Sequence, residues 1–176
     1  MIYSNLMKLG MAALLALSLV QCQAKTDDKA SAPVAPPPPP YAFGVTLTFT
    51  PQAVARLKKL HQKVRVSARY YGLPIPATAS QVDKFGVIDI KTDTVEVTPT
   101  DTPYTVNGHA YTYSAKVNFD GKDVPTEALK SINSGKPLVL VEAVADKKGV
   151  LQCDIFQDYV FTAQSRPIVL SCDLAG

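Results

Sequence analysis

From residue 41 onward, apolar and polar side chains alternate with a period of two in stretch after stretch, and that period leaves little choice of fold. Val64, Val66, Ala68 and Tyr70 alternate with Lys63, Arg65, Ser67, Arg69 and Tyr71. Tyr111, Tyr113, Ala115, Val117 and Phe119 alternate with Ala110, Thr112, Ser114, Lys116 and Asn118. Ile168, Leu170, Cys172 and Leu174 alternate with Val169, Ser171 and Asp173. Successive side chains of a strand point to opposite faces, so each set predicts a strand with one face in a core. Residues 138–145 are almost wholly apolar and predict a central strand covered on both faces. Shorter strands are expected at 43–49, 86–91, 94–98 and 102–106.

The punctuation agrees. Asn107-Gly108 is a type I′ hairpin signal, because both residues tolerate positive φ. Asp120-Gly121 and Lys148-Gly149 mark further reversals, and the second is expected to pair 138–145 with a strand at 150–154. Thr50-Pro51 predicts a helix start, an N-cap followed by proline at the first helical position, with Val54, Leu57 and Leu60 as its apolar stripe. Pro125 is expected to open a second helix that runs through Ala128, Leu129 and Ile132 and stops at Gly135. Residues 154–165 fit a helical face and a strand equally. About eight short strands, two short helices and frequent turns imply an all-β sandwich of immunoglobulin-like or transthyretin-like topology at 41–176.

The N-terminal residues read as an address. Lys8 precedes an uncharged apolar run from Leu9 to Val20, which matches a signal-peptide core and is shorter than the ~20 residues of a membrane span. Residues 1–24 are therefore expected to be a signal peptide, cleaved after Ala24 at the small-residue site Cys22-Gln23-Ala24. A second route is open: Leu19-Val20-Gln21-Cys22 resembles the lipobox of bacterial lipoproteins, with Gln21 where that motif carries Gly, Ala or Ser. On that route residues 1–21 are removed and Cys22 is lipidated. The lack of Asp at residue 23 would then favour the outer membrane. The two routes give a periplasmic protein or an outer-membrane lipoprotein.

Cysteine usage fits export. Of the three cysteines, Cys22 is removed or acylated, which leaves Cys153 and Cys172 as an even pair in an oxidising compartment and predicts a disulfide. A loop of roughly 20 residues closed this way is worth about 3 kcal/mol in the chain-entropy account. Residues 25–40 are polar and proline-rich, ending in the run Pro36 to Pro40. They cannot bury enough surface to offset their ordering entropy and are expected to form a disordered tether of roughly 50 Å reach. Signal, proline tether and disulfide-bearing β-domain together resemble small Gram-negative envelope proteins. The package is also similar to secretion-system lipoproteins that carry a transthyretin-like sandwich. The resemblance implies a cell-envelope binding module.

Chemistry is sparsely encoded. With two histidines, His61 and His109, and no G-x-S-x-G, no nucleophilic triad is marked. The Cys and His spacing supplies no metal set, no phosphate loop is present, and no cofactor is expected. A net charge of +3 on 176 residues gives no electrostatic case for nucleic acid. The expectation is a non-enzymatic module. The alternatives are an inhibitor of a hydrolase, for which a protruding loop with an apolar tip would be the mark, and an enzyme without a recognisable motif. Two features suggest where a partner would sit. Arg56, Lys58, Lys59, Lys63, Arg65 and Arg69 form a basic stripe with no acidic residue among them. The connection after Gly72 carries Leu73, Pro74, Ile75 and Pro76. Arg65, Arg69, Tyr71, Leu73 and Ile75 are the expected binding surface, and the expected partner is an envelope protein or an anionic glycan or lipid.

Overall fold

The computed structural model describes residues 40–176. Both expected cleavage routes, Cys22 and the tether up to residue 39 lie outside the described residues. Ten strands and three short helices follow in the order β1 Phe43–Phe49, α1 Pro51–Lys59, β2 Val64–Gly72, β3 Ile88–Val97, β4 Tyr104–Val106, β5 His109–Tyr111, β6 Tyr113–Phe119, α2 Thr126–Leu129, β7 Leu138–Ala145, β8 Leu151–Cys153, β9 Phe156–Tyr159, α3 Val160–Ser165 and β10 Ile168–Leu174. Two four-stranded sheets face each other, the first ordered β6-β1-β10-β8 and the second β3-β2-β7-β9. The chain is an all-β sandwich. The alternating residues meet between the sheets: Phe43, Val45, Leu47 and Phe49 from β1, Val64, Val66, Ala68 and Tyr70 from β2, Val139 and Val141 from β7, Ile168 and Leu170 from β10.

Helix α1 begins as expected. Ala53 N–H donates to Thr50 Oγ1 (3.3 Å), and Pro51 occupies the first turn, where its missing N–H costs nothing. The helix ends on a left-handed residue, His61 at φ 53°. His61 N–H donates to Lys58 O and Gln62 N–H to Leu57 O, the paired closure of a Schellman motif. Asn107 and Gly108 both have positive φ and form the β4–β5 hairpin. Cys153 and Cys172 face each other across β8 and β10 and are disulfide-bonded.

Several local expectations are corrected. The strands expected at 86–91 and 94–98 are one strand, β3, because nothing at 92–93 breaks an extended backbone. The single strand expected at 111–119 is broken at Thr112, where the chain passes from the hairpin into the first sheet. The second helix is one turn only, Thr126–Leu129, and Ile132 is buried beyond its end. Residues 154–165 are strand first and helix after. The turn at 146–149 does not pair its flanking strands: β7 pairs with β9 while β8 pairs with β10, so the chain changes sheet there. Strand β7 is central but covered on one face only. Val139, Val141, Ala143 and Ala145 are buried, whereas Leu138 and Leu140 are half-buried and Val144 is exposed.

Candidate functional site

Strand β7 points to the face of interest, because a strand apolar on both sides and buried on one leaves apolar side chains outside. Register places Leu140 beside Arg69 and Gln157, and Leu138 between Tyr71 and Tyr159. Tyr159 stacks on Phe161 with ring centroids 5.3 Å apart. On the other side the Arg69 guanidinium lies 5.5 Å from the Tyr71 ring and 5.9 Å from the Phe85 ring. The contacts therefore run unbroken across the outer face of the second sheet, from Phe85 through Arg69, Tyr71 and Leu138 to Tyr159 and Phe161. The two ends of this belt are open to solvent, Phe85 at 68% and Phe161 at 57% exposure.

The middle of the belt is fixed by polar contacts. Gln157 Nε2 donates to Tyr71 Oη at 2.6 Å, reaching over β7. Arg69 donates to Asp83 (2.6 Å) and to Asp89. The hydrogen bond to Asp89, followed by that to Asp83, raises the guanidinium pKa against the opposing effect of burial. Burial pushes the Asp83 carboxyl up. The Val87 and Phe85 amide N–H groups and Arg69 outweigh it and hold the group below its ordinary value. These pairs clamp the 83–87 turn against the sheet edge.

The expected binding residues are distributed as follows. Arg65 is exposed and lies 3.4 Å from Asp146. Arg69 is half-buried and paired with two carboxylates. Tyr71 is 5% exposed, not an open recognition side chain, because Arg69 and Gln157 lie against it. The strand alternation does place it outward; alternation alone does not reveal what else folds over a face. Leu73 is exposed and Ile75 half-buried. Their segment is tied down by Asn133 N–H to Leu73 O (2.8 Å) and Ile75 N–H to Ser131 O (3.3 Å). Ile155, beyond the end of β8, is exposed. Phe85, Tyr159 and Phe161 were not singled out by the sequence. The exposed half of the apolar run 138–145 was the available signal.

The first sheet presents a different outer face. Its Thr48 and Ser114 are buried, and Tyr111 Oη donates to Ser171 Oγ at 3.3 Å, so the hairpin side covers this end. The hairpin tip is polar, Asn107-Gly108. A cleft of about 430 Å³ lies over Gly44 and Thr46, but Gln164 beside it is turned to the carbonyls of Pro40 and Ala42 and Arg166 to Asp158. Among the described residues no three His, Cys, Asp or Glu side chains gather as a metal set. Comparison with protein-family models, curated proteins and solved structures gives no match.

Proposed function

We propose that this chain is a non-enzymatic binding module of the cell envelope, exported and either carried on a lipidated Cys22 or released after Ala24, and that it docks an envelope protein on the outer face of its second sheet. The belt from Phe85 to Phe161 carries the reading. Aromatic side chains exposed at both ends of a strand-built face, joined through half-buried Leu138, Leu140 and Arg69, match the enrichment of aromatic residues and arginine in protein interfaces. Arginine stacked between aromatic rings is the kind of anchor on which interface energy concentrates. The anionic-glycan alternative at Arg65 and Arg69 loses its support, since carboxylates already face both guanidiniums.

The test is a photoreactive residue placed at Phe161 in the exported protein, compared with one at Lys116 on the outer face of the first sheet. A discrete adduct of one mass from position 161 only, lost when Tyr159 is replaced by Ala, is the expected result. Equal adducts from both positions, or none, would refute the reading.

A further inference from the structure

We infer that the end of the sandwich remote from Pro40 is a docking surface for a membrane rich in anionic phosphate headgroups. This surface is separate from the aromatic belt, whose Tyr159 and Phe161 lie at the Pro40 end. Strand β1 runs from Phe43 to Phe49 and hands the chain to α1, so α1 sits at the far end. There the segment leaving α1 and the 146–149 turn are locked together: Lys147 N–H donates to Gln62 Oε1 (2.6 Å), and Lys63 N–H to Asp146 Oδ2 (3.4 Å). Besides Asp173, which accepts from Thr50 Oγ1 (2.7 Å) at the N-cap of α1, two carboxylates at this end pair with cations. Glu96 pairs with Lys63 at 2.9 Å and Asp146 with Arg65 at 3.4 Å. Arg56, Lys58, Lys59, Lys147 and Lys148 remain, all exposed, and among the described residues none has a carboxylate within ion-pair distance.

The helix C-terminus accounts for the first three of these, because its carbonyl ends favour cations. It does not account for Lys147 and Lys148, which stand on a turn and add like charge beside that helix. Like charges gathered on one rigid end repel each other and favour an external anion. The cations do not converge on one cavity. Lys58 lines one cleft of about 340 Å³, whose Val54 and Leu57 are buried, and Lys147 and Lys148 line another of the same size beside the exposed Val144 and half-buried Leu151. Cations spread over a surface, with the exposed Val144 among them, match a layer of fixed headgroups rather than one small anion. No helix among the described residues is long and apolar enough to cross a membrane.

The experiment uses the exported mature protein and compares its partition onto zwitterionic phospholipid vesicles with that onto vesicles containing phosphatidylglycerol. The ratio is the readout, because a lipid anchor contributes to both vesicle types and cancels. Each basic residue near an anionic surface contributes about fivefold. The ratio should exceed roughly tenfold at low salt and approach one near ~0.5 M salt, where screening is within a few Å. K147E/K148E should lower it by at least about tenfold, and the neutral K147Q/K148Q, which leaves the fold least disturbed, by a smaller factor in the same direction. K122E/K130E makes the same change in net charge at the other end and should leave the ratio unchanged. No preference for anionic vesicles, or equal losses in both charge-reversed variants, would overturn the inference.

Discussion

Gly72 closes β2 where the backbone passes directly over Ile132. A Cβ at Gly72 would lie 2.6 Å from Ile132 Cβ and 2.7 Å from Cδ1, and closer still to Cγ2. Carbon atoms in contact prefer about 3.5–4.0 Å, so Gly72→Ala requires one side to move by roughly 1 Å. Ile132 has little freedom to do so. It is buried, and its neighbours are held by Asn133 N–H to Leu73 O (2.8 Å) and Thr78 Oγ1 to Ser131 O (2.7 Å). Overpacking a fixed site costs about 1–3 kcal/mol, and the upper half applies here because both backbones are tied. At about 3–5 °C per kcal/mol for a domain of this size, the midpoint should fall by roughly 6–15 °C. Ile132→Ala alone opens a cavity worth about 2–5 kcal/mol, but it removes two of the three clashing atoms. The double variant should therefore be less destabilised than the sum of the singles by about 1 kcal/mol or more. Urea unfolding of the four proteins measures this coupling. Additivity within about 0.5 kcal/mol, or an unaffected Gly72→Ala protein, would refute the close-approach argument.

Reducing the Cys153–Cys172 bond, or replacing both cysteines by Ser, should lower stability by about 3 kcal/mol, read as a shift in the urea midpoint; no shift would mean the bond restrains little of the unfolded chain. Thr50→Ala removes the hydrogen bonds to Ala53 N and Asp173 Oδ1 and should cost about 1 kcal/mol. The Thr50 hydroxyl, followed by the Leu174 N–H, holds Asp173 below its ordinary value. That contribution is present above the unfolded-state carboxyl range and is lost as pH falls through the lower folded value, so the wild-type advantage over Thr50→Ala should shrink on acidification. A difference independent of pH would contradict this. Arg65→Ser should change stability by less than about 0.5 kcal/mol, whereas Arg69→Ser, which strands two carboxylates and unstacks two rings, should cost about 1–2 kcal/mol by thermal melting. Equal effects would mean that the Arg69 cluster is only a surface pairing.

The strands were legible wherever alternation ran for five or more residues, because a period of two forces one set of side chains inward. The cap at Thr50 and the turn at Asn107-Gly108 were legible for the same local reason: a few atoms decide them. Partner choice among strands was not. The turn at Lys148-Gly149 has the composition of a hairpin, yet β8 is drawn to β10, where Cys172 and the register of Leu151 and Leu174 lie. Burial of Tyr71 was illegible because Gln157, which bonds to its hydroxyl across β7, is distant in sequence. The basic stripe read as one surface. In the fold Arg69 is neutralised at one end, while Lys147 and Lys148 join the helix cations at the other.

The pairing of β1 with β10 has a consequence for how the domain comes into being. The first strand of the sandwich lies between β6 and β10 and runs parallel to the last, with Thr50 bonded to Asp173, 123 residues away. A chain emerging from its N-terminus can pair β1 with β6, but the other flank of β1 stays empty until the final residues arrive. Closing so long a loop is also what makes a fold slow to nucleate. Birth of the domain is therefore late and abrupt. Nascent fragments ending before residue 168 should stay open and protease-sensitive, and the complete chain should become resistant in a single step.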